Sequence, residues 1–405
     1  MSSWEPVGGG VCAPRGFLAG AAAMGIKNPA VKRLDCALIF SEWPASVAGV
    51  FTTNRFKAAP VLWDQGVCVR GAARAVFVNS GNANACTGER GILDAQETAA
   101  RVADRMSIPV TEVCVASTGV IGVPLPMDRI LAGVDTCAAA LSASGSGDAA
   151  RAIMTTDTVP KEFAAETSLA GKTVRIGAIA KGAGMIAPNM ATMLCFITTD
   201  AAVPPDLLRR MLADAVDVSF NCICVDNDMS TNDTVLFFAN GASGVEITDP
   251  DSAAGRIFAE GLKQICITTA QALVRDGEGA TRFVTIEVTG ASDNQAARTA
   301  AQSVARSMLC KTAFYGGDPN WGRIACAVGY SGIHFEPDRI SVRIGDVTVM
   351  AEGLPTDYRE EDAAAAMKER DIHIGITLGD GPGRAVCWTS DLSQEYIRIN
   401  ADYRT

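Results

Sequence analysis

The longest stretch without a charged side chain covers residues 182–199, and it is as long as a membrane-spanning helix. It contains Pro188, Asn189, two glycines and three threonines, a composition that suits a lipid-facing helix poorly. Residues 193–199 are apolar and end in two threonines, a pattern typical of a buried strand. The stretch therefore predicts a loop that runs into a buried strand of a globular protein, and no membrane partner is expected.

Strand and helix patterns are mixed along the rest of the chain. Strands are predicted over residues 174–180, 193–199, 283–288, 340–349, 372–378 and 385–389. Helical periodicity predicts helices over residues 207–216, 297–308 and 361–370. This mixture predicts a layered α/β (α+β) fold. Composition places the best candidate for a domain break at residues 200–205.

The charge balance excludes two classes of partner. Lys and Arg number 35 and Asp and Glu number 45, so the net charge is −10. Nucleic acids and anionic membranes both attract basic surfaces, so neither is expected as a partner. The 13 cysteines have no framework spacing, which indicates free thiols in a reducing cytoplasm.

The chain has only two histidines, His334 and His373. A His-rich zinc site is therefore excluded, and a conventional Ser-His-Asp or Cys-His centre would have to use one of the two. Both lie in strand-like text without a partner at metal-ligand spacing. We expect each to be a packed structural histidine, and we expect no metal site.

The clearest chemical pattern begins at Lys181, which opens a glycine-rich loop. Pro188 and Asn189 then make a turn, and Thr192 follows Ala191 at the head of the predicted strand. A threonine hydroxyl in such a place can attack the preceding carbonyl, break the peptide bond and become a new N-terminus. Its α-amine, with an ordinary pKa of about 8, can act as base for its own hydroxyl without a histidine. A structural threonine that starts a strand fits the same text and is the commoner case.

Several further blocks occur with this segment in a fixed order. They are 49–54 (GVFTTN), 58–60 (AAP), 78–84 (VNSGNAN), 117–122 (STGVIG), 154–158 (MTTDT), 230–234 (STNDT), 317–322 (GDPNWG) and 399–405 (INADYRT). With these blocks, nearly the whole chain resembles the ornithine acetyltransferases of arginine biosynthesis, also called glutamate N-acetyltransferases.

The resemblance implies self-cleavage between Ala191 and Thr192. It implies an alpha chain of residues 1–191 and a beta chain of residues 192–405, interlocked as one catalytic unit. It also implies sheets sandwiched between helices, similar in layering to N-terminal-nucleophile hydrolases but differently connected. The expected assembly is two alpha and two beta chains in the cytoplasm.

The family's reaction implies that Thr192 takes the acetyl group from N2-acetylornithine and that glutamate then removes it as N-acetylglutamate. Thr118 and Gly119 match the family's oxyanion hole. A hydroxyl and a backbone N–H can point together at a tetrahedral oxyanion, and glycine allows close approach. In isolation, the same Ser-Thr-Gly text fits an ordinary turn.

The resemblance also implies a set of substrate contacts. Lys181 would pair with a substrate α-carboxylate, and Glu278 would suit the ornithine amine. The full set of implied contacts is Thr155, Thr156, Lys181, Thr192, Glu278, Asn400 and Thr405, with the assignment uncertain by one residue between the two adjacent threonines. No cofactor is expected, and acetyl-CoA as a second acetyl donor is left open.

One departure from the family pattern is visible at Asn227, where the family often has glycine. Asparagine tolerates left-handed backbone angles, so the turn is expected to persist. Two other functions compete with acetyl transfer: a self-cleaving amidase or aminopeptidase that uses water as acceptor, and a non-enzymatic binding protein.

Overall fold

The computed structural model describes residues 4–30, 32–187 and 193–402. Within these residues the chain forms seventeen strands: β1 Glu5–Val7, β2 Phe17–Ala22, β3 Cys36–Ser41, β4 Ser46–Phe51, β5 Ala75–Asn82, β6 Val113–Val120, β7 Lys161–Leu169, β8 Lys172–Lys181, β9 Leu194–Thr199, β10 Ile223–Cys224, β11 Thr234–Ala239, β12 Phe283–Gly290, β13 Ser341–Ile344, β14 Val347–Ala351, β15 Leu354–Pro355, β16 Asp371–Thr377 and β17 Gly381–Ser390.

The same described residues form eleven α-helices. They are α1 Ala59–Arg70, α2 Gly88–Met106, α3 Met127–Ala139, α4 Ser146–Ala152, α5 Pro205–Asp217, α6 Ala253–Arg275, α7 Asn294–Arg306, α8 Met308–Gly316, α9 Trp321–Gly329, α10 Glu360–Lys368 and α11 Gln394–Asp402. None of the helices in the described ranges combines the length and the apolar composition needed to cross a membrane.

A six-stranded sheet in the order β1-β7-β8-β9-β11-β4 forms the centre of the molecule. Every residue of its strand β9 is buried. Since side chains alternate along a strand, both faces of β9 must be covered. Cys195 and Ile197 pack on one side, and Leu194 and Phe196 pack on the other. Burial on both faces explains why the sequence from Leu194 onward reads as a continuous apolar run.

Two sheets and two helix pairs stack as four layers. Helices α5 and α6 cover one face of the six-stranded sheet, and the apolar side chains of the other face pack against a four-stranded sheet in the order β2-β3-β5-β6. Helices α2 and α3 cover the far face of that second sheet. The predicted α/β fold, with sheets sandwiched between helices, is confirmed.

A seven-stranded sheet in the order β10-β17-β12-β16-β13-β14-β15 forms a further layered unit in the C-terminal part of the chain. Apolar side chains of α7, α8, α9 and α10 pack on it to form a core of its own. Its strand β17 and helix α6 are in contact, so this unit adjoins the helical layer of the six-stranded sheet.

Strands β9 and β11 lie side by side and are parallel, with Leu194 opposite Thr234. They are flanked by β8 on one side and β4 on the other, both antiparallel to them. The predicted domain break at residues 200–205 is therefore wrong, because that segment connects strands of a single sheet. The division into chains 1–191 and 192–405 stays a prediction, since the residues at its boundary lie outside the described ranges.

Most predicted elements coincide with observed ones, and two do not. The single strand predicted over residues 340–349 is a hairpin of β13 and β14, joined through Gly345, which has a φ of 57°. The helix predicted over residues 297–308 ends at Arg306, because the Ser307 side chain accepts the Cys310 N–H and caps a new helix, α8. Met308 therefore belongs to α8.

The expectation of two packed histidines is wrong for His334 and holds only in part for His373. His334 lies in a loop after α9, where its side chain is 94% exposed. His373 lies in β16 on the face opposite Ile372 and Ile374, and its side chain is half-buried beside Glu287. The prediction of free thiols is confirmed, since all thirteen cysteines are unpaired and most are buried.

Candidate active site

The predicted site residues gather where two sheets end. In the six-stranded sheet, β8 ends at Lys181, which pairs with Leu194 at the start of β9, and Thr234 at the start of β11 pairs with the same Leu194. In the four-stranded sheet, the parallel strands β5 and β6 end side by side, with Gly81 opposite Gly119. Residues from both of these ends line one cavity.

Seven residues singled out from the sequence line this cavity: Thr118, Gly119, Thr155, Thr156, Lys181, Glu278 and Asn400. They come from five separate segments of the chain. The predicted residues Ala191, Thr192 and Thr405 lie outside the described residues. Both adjacent threonines reach the cavity, so its lining does not choose between Thr155 and Thr156.

Thr118 and Gly119 lie at the end of β6, and both face the cavity. The Lys181 ammonium donates to the Thr118 hydroxyl over 3.4 Å. Gly119 has a φ of 133°, and a Cβ there would lie 2.3 Å from the carbonyl carbon of Gly81. Glycine is therefore required at position 119 for two independent reasons, backbone angle and space. The predicted pair of oxyanion donors is adjacent on one wall.

Lys181 is 2% exposed although it carries a charge. Burial lowers the pKa of its ammonium, while the carboxylates of Asp157 and Glu278 favour the charged form. Lys181 is thus a buried cation with a lowered pKa that lines a cavity next to the Thr118 hydroxyl. Such a cation is suited to bind an anionic group of a small molecule. This position agrees with the predicted carboxylate contact.

A buried ionic network holds the segments around Lys181, and it was missed in the sequence. Lys161 donates to Asp157 at 2.7 Å and to Asp276 at 2.5 Å, and all three side chains are nearly inaccessible. Asp157 also accepts the backbone N–H groups of Gly182 at 2.7 Å and Thr155 at 3.1 Å. Burial would raise the pKa of Asp157, but Lys181 and Lys161 lower it to about 2.

The network extends to the loop that carries Glu278. Asp276 accepts the Thr158 N–H at 3.0 Å and the Thr158 hydroxyl, so it ties residues before β7 to the end of α6. Lys161 and Thr158 lie 115 and 118 positions from Asp276, and no local sequence pattern reports pairings over such distances. The one sequence signal was that Asp157 belongs to the block 154–158, in which only the threonines were given a role.

Glu278 reaches the cavity from the loop after α6. The Asn400 side chain in α11 donates to its carboxylate at 2.7 Å, and the Glu278 N–H donates to the carbonyl of Ala183 at 2.8 Å. A Cβ on Gly184 would lie 2.4 Å from the Glu278 carboxylate, so glycine leaves the space that this carboxylate occupies. The negative charge therefore faces the same cavity as Lys181, from a different segment of the chain.

The turn at Asn227 persists as predicted, with a φ of 71°. The preceding Asp226 accepts the N–H groups of Met185 at 2.6 Å and Ile186 at 2.8 Å, and the Tyr396 hydroxyl at 3.1 Å. Burial raises the pKa of Asp226 above its usual value. This turn fixes the glycine-rich loop after Lys181 and anchors α11 over the cavity.

Three further lining residues, Ser230, Thr231 and Asn232, belong to a block recognised in the sequence but given no role. The Asn232 amide donates to the carbonyls of Ala83 and Ser117, each at 2.7 Å. It thereby joins the six-stranded sheet to the four-stranded one at the cavity. The parallel pairing of β9 with β11 explains their presence, because residues before two parallel strands meet at one sheet edge.

Comparisons with known proteins agree on one family. The model of the ArgJ family matches residues 18–405. The arginine biosynthesis bifunctional protein ArgJ of Symbiobacterium thermophilum is 49% identical over 401 residues, which cover 99% of this chain and 100% of the relative. A crystal structure of arginine biosynthesis bifunctional protein argJ from Bacillus halodurans is 40% identical, with a TM-score of 0.50, and covers 51% of this chain and 98% of that chain. An ornithine acetyltransferase complexed with ornithine from Mycobacterium tuberculosis is 46% identical, with a TM-score of 0.43, and covers 46% of this chain and 98% of that chain.

Proposed function

The chain belongs to the ArgJ family, and from that premise we propose the reaction that its cavity performs. The protein is an acetyltransferase of arginine biosynthesis. It moves acetyl from N2-acetyl-L-ornithine to L-glutamate and yields L-ornithine and N-acetyl-L-glutamate. The observation that carries this function is the convergence of seven predicted residues on one cavity. The amidase alternative is not favoured, because the relatives are arginine biosynthesis proteins.

Thr192 serves as the nucleophile in this proposal. Its hydroxyl attacks the acetyl carbonyl of acetylornithine, the carbonyl–nitrogen bond breaks, and ornithine leaves with the proton that the hydroxyl gave up. The amine of glutamate then attacks the acetyl ester and restores the hydroxyl. The base is the α-amine of Thr192, and the cavity agrees with this because neither histidine lies among its described lining residues.

The cavity walls supply the remaining parts of the reaction. The Thr118 hydroxyl and the Gly119 N–H stabilise the oxyanion of each tetrahedral intermediate. Lys181 pairs with the α-carboxylate that both substrates share, and Glu278 with Asn400 binds the side-chain amine of ornithine. These opposite charges in one cavity hold an amino acid in one orientation, which is the positioning that acyl transfer needs.

The proposal includes scission between Ala191 and Thr192, since the α-amine exists only after the cut. The Bacillus halodurans structure supports this, because 98% of that crystallised chain covers only about half of this one.

We further propose that the cut unit assembles as two alpha and two beta chains in the cytoplasm and that acetyl-CoA serves as a second donor. Light scattering of the purified protein and a comparison of the two donors test these points.

The decisive experiment combines denaturing electrophoresis, N-terminal sequencing and an acetyl-transfer assay. Wild-type protein should give two chains, the second starting at Thr192, and ping-pong kinetics with acetylornithine and glutamate. Thr192→Ala should stay intact and inactive. Thr136→Ala, on the exposed surface of α3, serves as the control and should be cut and active. An intact, fully active wild-type chain, or an active Thr192→Ala, would reject the mechanism.

A further inference from the structure

Asp233, directly before β11, is a fully buried carboxyl that no step above uses. One of its oxygens, Oδ1, accepts the N–H of Met193 at 3.1 Å. The other, Oδ2, is buried and has no hydrogen-bond partner in the described part of the chain. The Thr52 hydroxyl lies beside the carboxyl but donates to the carbonyl of Ser230 at 2.7 Å. A buried acceptor without a donor is costly, so it calls for a physical explanation.

The backbone around Asp233 is firmly held. Its carbonyl accepts the N–H of Thr52 at 3.0 Å, and the next residue, Thr234, donates its N–H to the carbonyl of Met193 at 3.1 Å. Met193 is therefore bonded at both its N–H and its carbonyl by neighbouring residues of the 230–234 block. The unused oxygen of Asp233 belongs to a carboxyl whose position is fixed relative to Met193.

The nitrogen of Met193 forms the peptide bond with residue 192, a bond of about 1.33 Å. Asp233 thus accepts a hydrogen bond from the backbone nitrogen that directly follows residue 192. Lys181, which lines the cavity, is the charged group that acts on Asp233 among the described residues, and Asp233 acts on Lys181 in turn. Asp233 therefore contacts the start of β9 and interacts electrostatically with the cavity lysine.

We propose that Asp233 is a positioning residue for acetyl transfer, whose second carboxyl oxygen accepts a hydrogen bond from the α-amine of Thr192 and orients that amine toward the Thr192 hydroxyl. This role rests on the function proposed above. The amine takes the hydroxyl proton as the oxygen–carbon bond to acetyl forms, and it returns that proton to the departing ornithine nitrogen. Asp233 itself ends each cycle unchanged.

The electrostatics of the site support the same pairing. Burial raises the pKa of Asp233 to about 8, although the Met193 N–H, the neighbouring Thr52 hydroxyl and the charge of Lys181 oppose this rise. An α-amine has an ordinary pKa of about 8. Two neighbouring groups with matched values share one proton near neutral pH and titrate as a pair. The carboxylate then helps the amine to keep its proton, so its removal should shift amine deprotonation to lower pH.

The test replaces Asp233 with asparagine in the full-length, self-processed enzyme. The amide keeps an oxygen for the Met193 N–H and mimics the neutral acid, so the fold should tolerate it, but it replaces the second acceptor with a donor. We expect kcat to fall about tenfold or more, as for the loss of a hydrogen bond to a charged group. The KM for acetylornithine should stay unchanged, and the acid limb of the kcat–pH profile should move to lower pH.

Asp64→Asn is a matched control. Asp64 is also fully buried, accepts one strand N–H, that of Val115, at 2.8 Å, and leaves its second oxygen without a partner in the described residues. It belongs to α1 and contacts β6 rather than Met193. Asp64→Asn should leave kcat and the acid limb as in the wild type, so a loss common to both variants would indicate a merely structural role.

The outcomes separate the two proposals. An uncut or inactive wild-type protein defeats the proposed function itself. A cut and active wild type, together with an Asp233→Asn variant of unchanged kcat and pH profile, defeats only the role of Asp233. Should Asp233→Asn fail to fold, Asp233→Glu keeps the carboxyl at a displaced position, and it must retain the acid limb while losing kcat. A lowered kcat with a shifted acid limb in Asp233→Glu would overturn the pairing.

Discussion

Replacing Asp157 with asparagine should destabilise the protein by about 2 kcal/mol at neutral pH. Lys181 and Lys161 hold the pKa of this buried carboxyl at about 2, against an ordinary 3.8. One pKa unit corresponds to about 1.36 kcal/mol, so this lowered pKa corresponds to about 2 kcal/mol of stabilisation. Asp276 stays paired with Lys161 in the variant. The loss should therefore stay below the roughly 3–5 kcal/mol that is typical when a buried ion pair is fully broken.

The dependence on pH has a definite sign. The pKa of Asp157 is lower in the folded protein than in the unfolded chain, so its stabilisation is fully present above the unfolded value and is lost as the pH falls toward 2. The difference in unfolding free energy between wild type and Asp157→Asn should stay constant from about pH 5 to 8. Near pH 3 it should shrink to about half of its value at neutral pH.

Guanidinium unfolding, followed by tryptophan fluorescence at several pH values, measures this difference. The control is Asp206→Asn, which removes an exposed carboxyl paired with Arg209 on the surface of α5. It should change the stability by less than about 0.5 kcal/mol. An Asp157→Asn variant as stable as the wild type at pH 7, or a difference that grows as the pH falls, would refute the reasoning.

Two further predictions concern catalysis. Thr118→Val keeps the shape of the side chain but removes one oxyanion donor, so kcat should fall by about 10²–10³ with little change in melting temperature; a variant with wild-type kcat would remove Thr118 from the oxyanion hole. Glu278→Gln should raise the KM for acetylornithine by about ten- to a hundredfold, because it removes a charge opposite the substrate amine. The control Glu395→Gln loses only a surface pair with Arg398 and should leave steady-state kinetics unchanged.

The sequence was informative where function depends on residues near strand ends. The family resemblance implied site roles for Thr118 and Lys181, and the structure places both near strand ends on one cavity. Helices and strands of strong period were also placed correctly, as for α5 and β8. Period and strand ends are local properties, so they can be recognised without knowing the tertiary fold.

The features that escaped prediction depend on long-range contacts or on single turns. Lys161 meets Asp276 only because the start of β7 and the end of α6 come together in three dimensions. The hairpin at Gly345 was read as one strand because its two arms are similarly apolar. His334 follows apolar text, yet the segment lies on the surface beyond α9. Sequence periodicity does not report a contact between distant segments, such as Lys161 with Asp276, or a single turn within an apolar run, such as that at Gly345.

Scission would change the molecularity of refolding. Strands β9 and β11 come from the second half of the chain, yet they pair with β8 and β4 from the first half on either side. An intact precursor refolds at a rate independent of its concentration, whereas two separated halves must first meet in solution. The stability of the cut enzyme would thus depend on protein concentration, as for an obligate dimer. Dilution after heating should trap the two halves apart, so the same covalent cut that creates the amine also makes recovery from unfolding a bimolecular event.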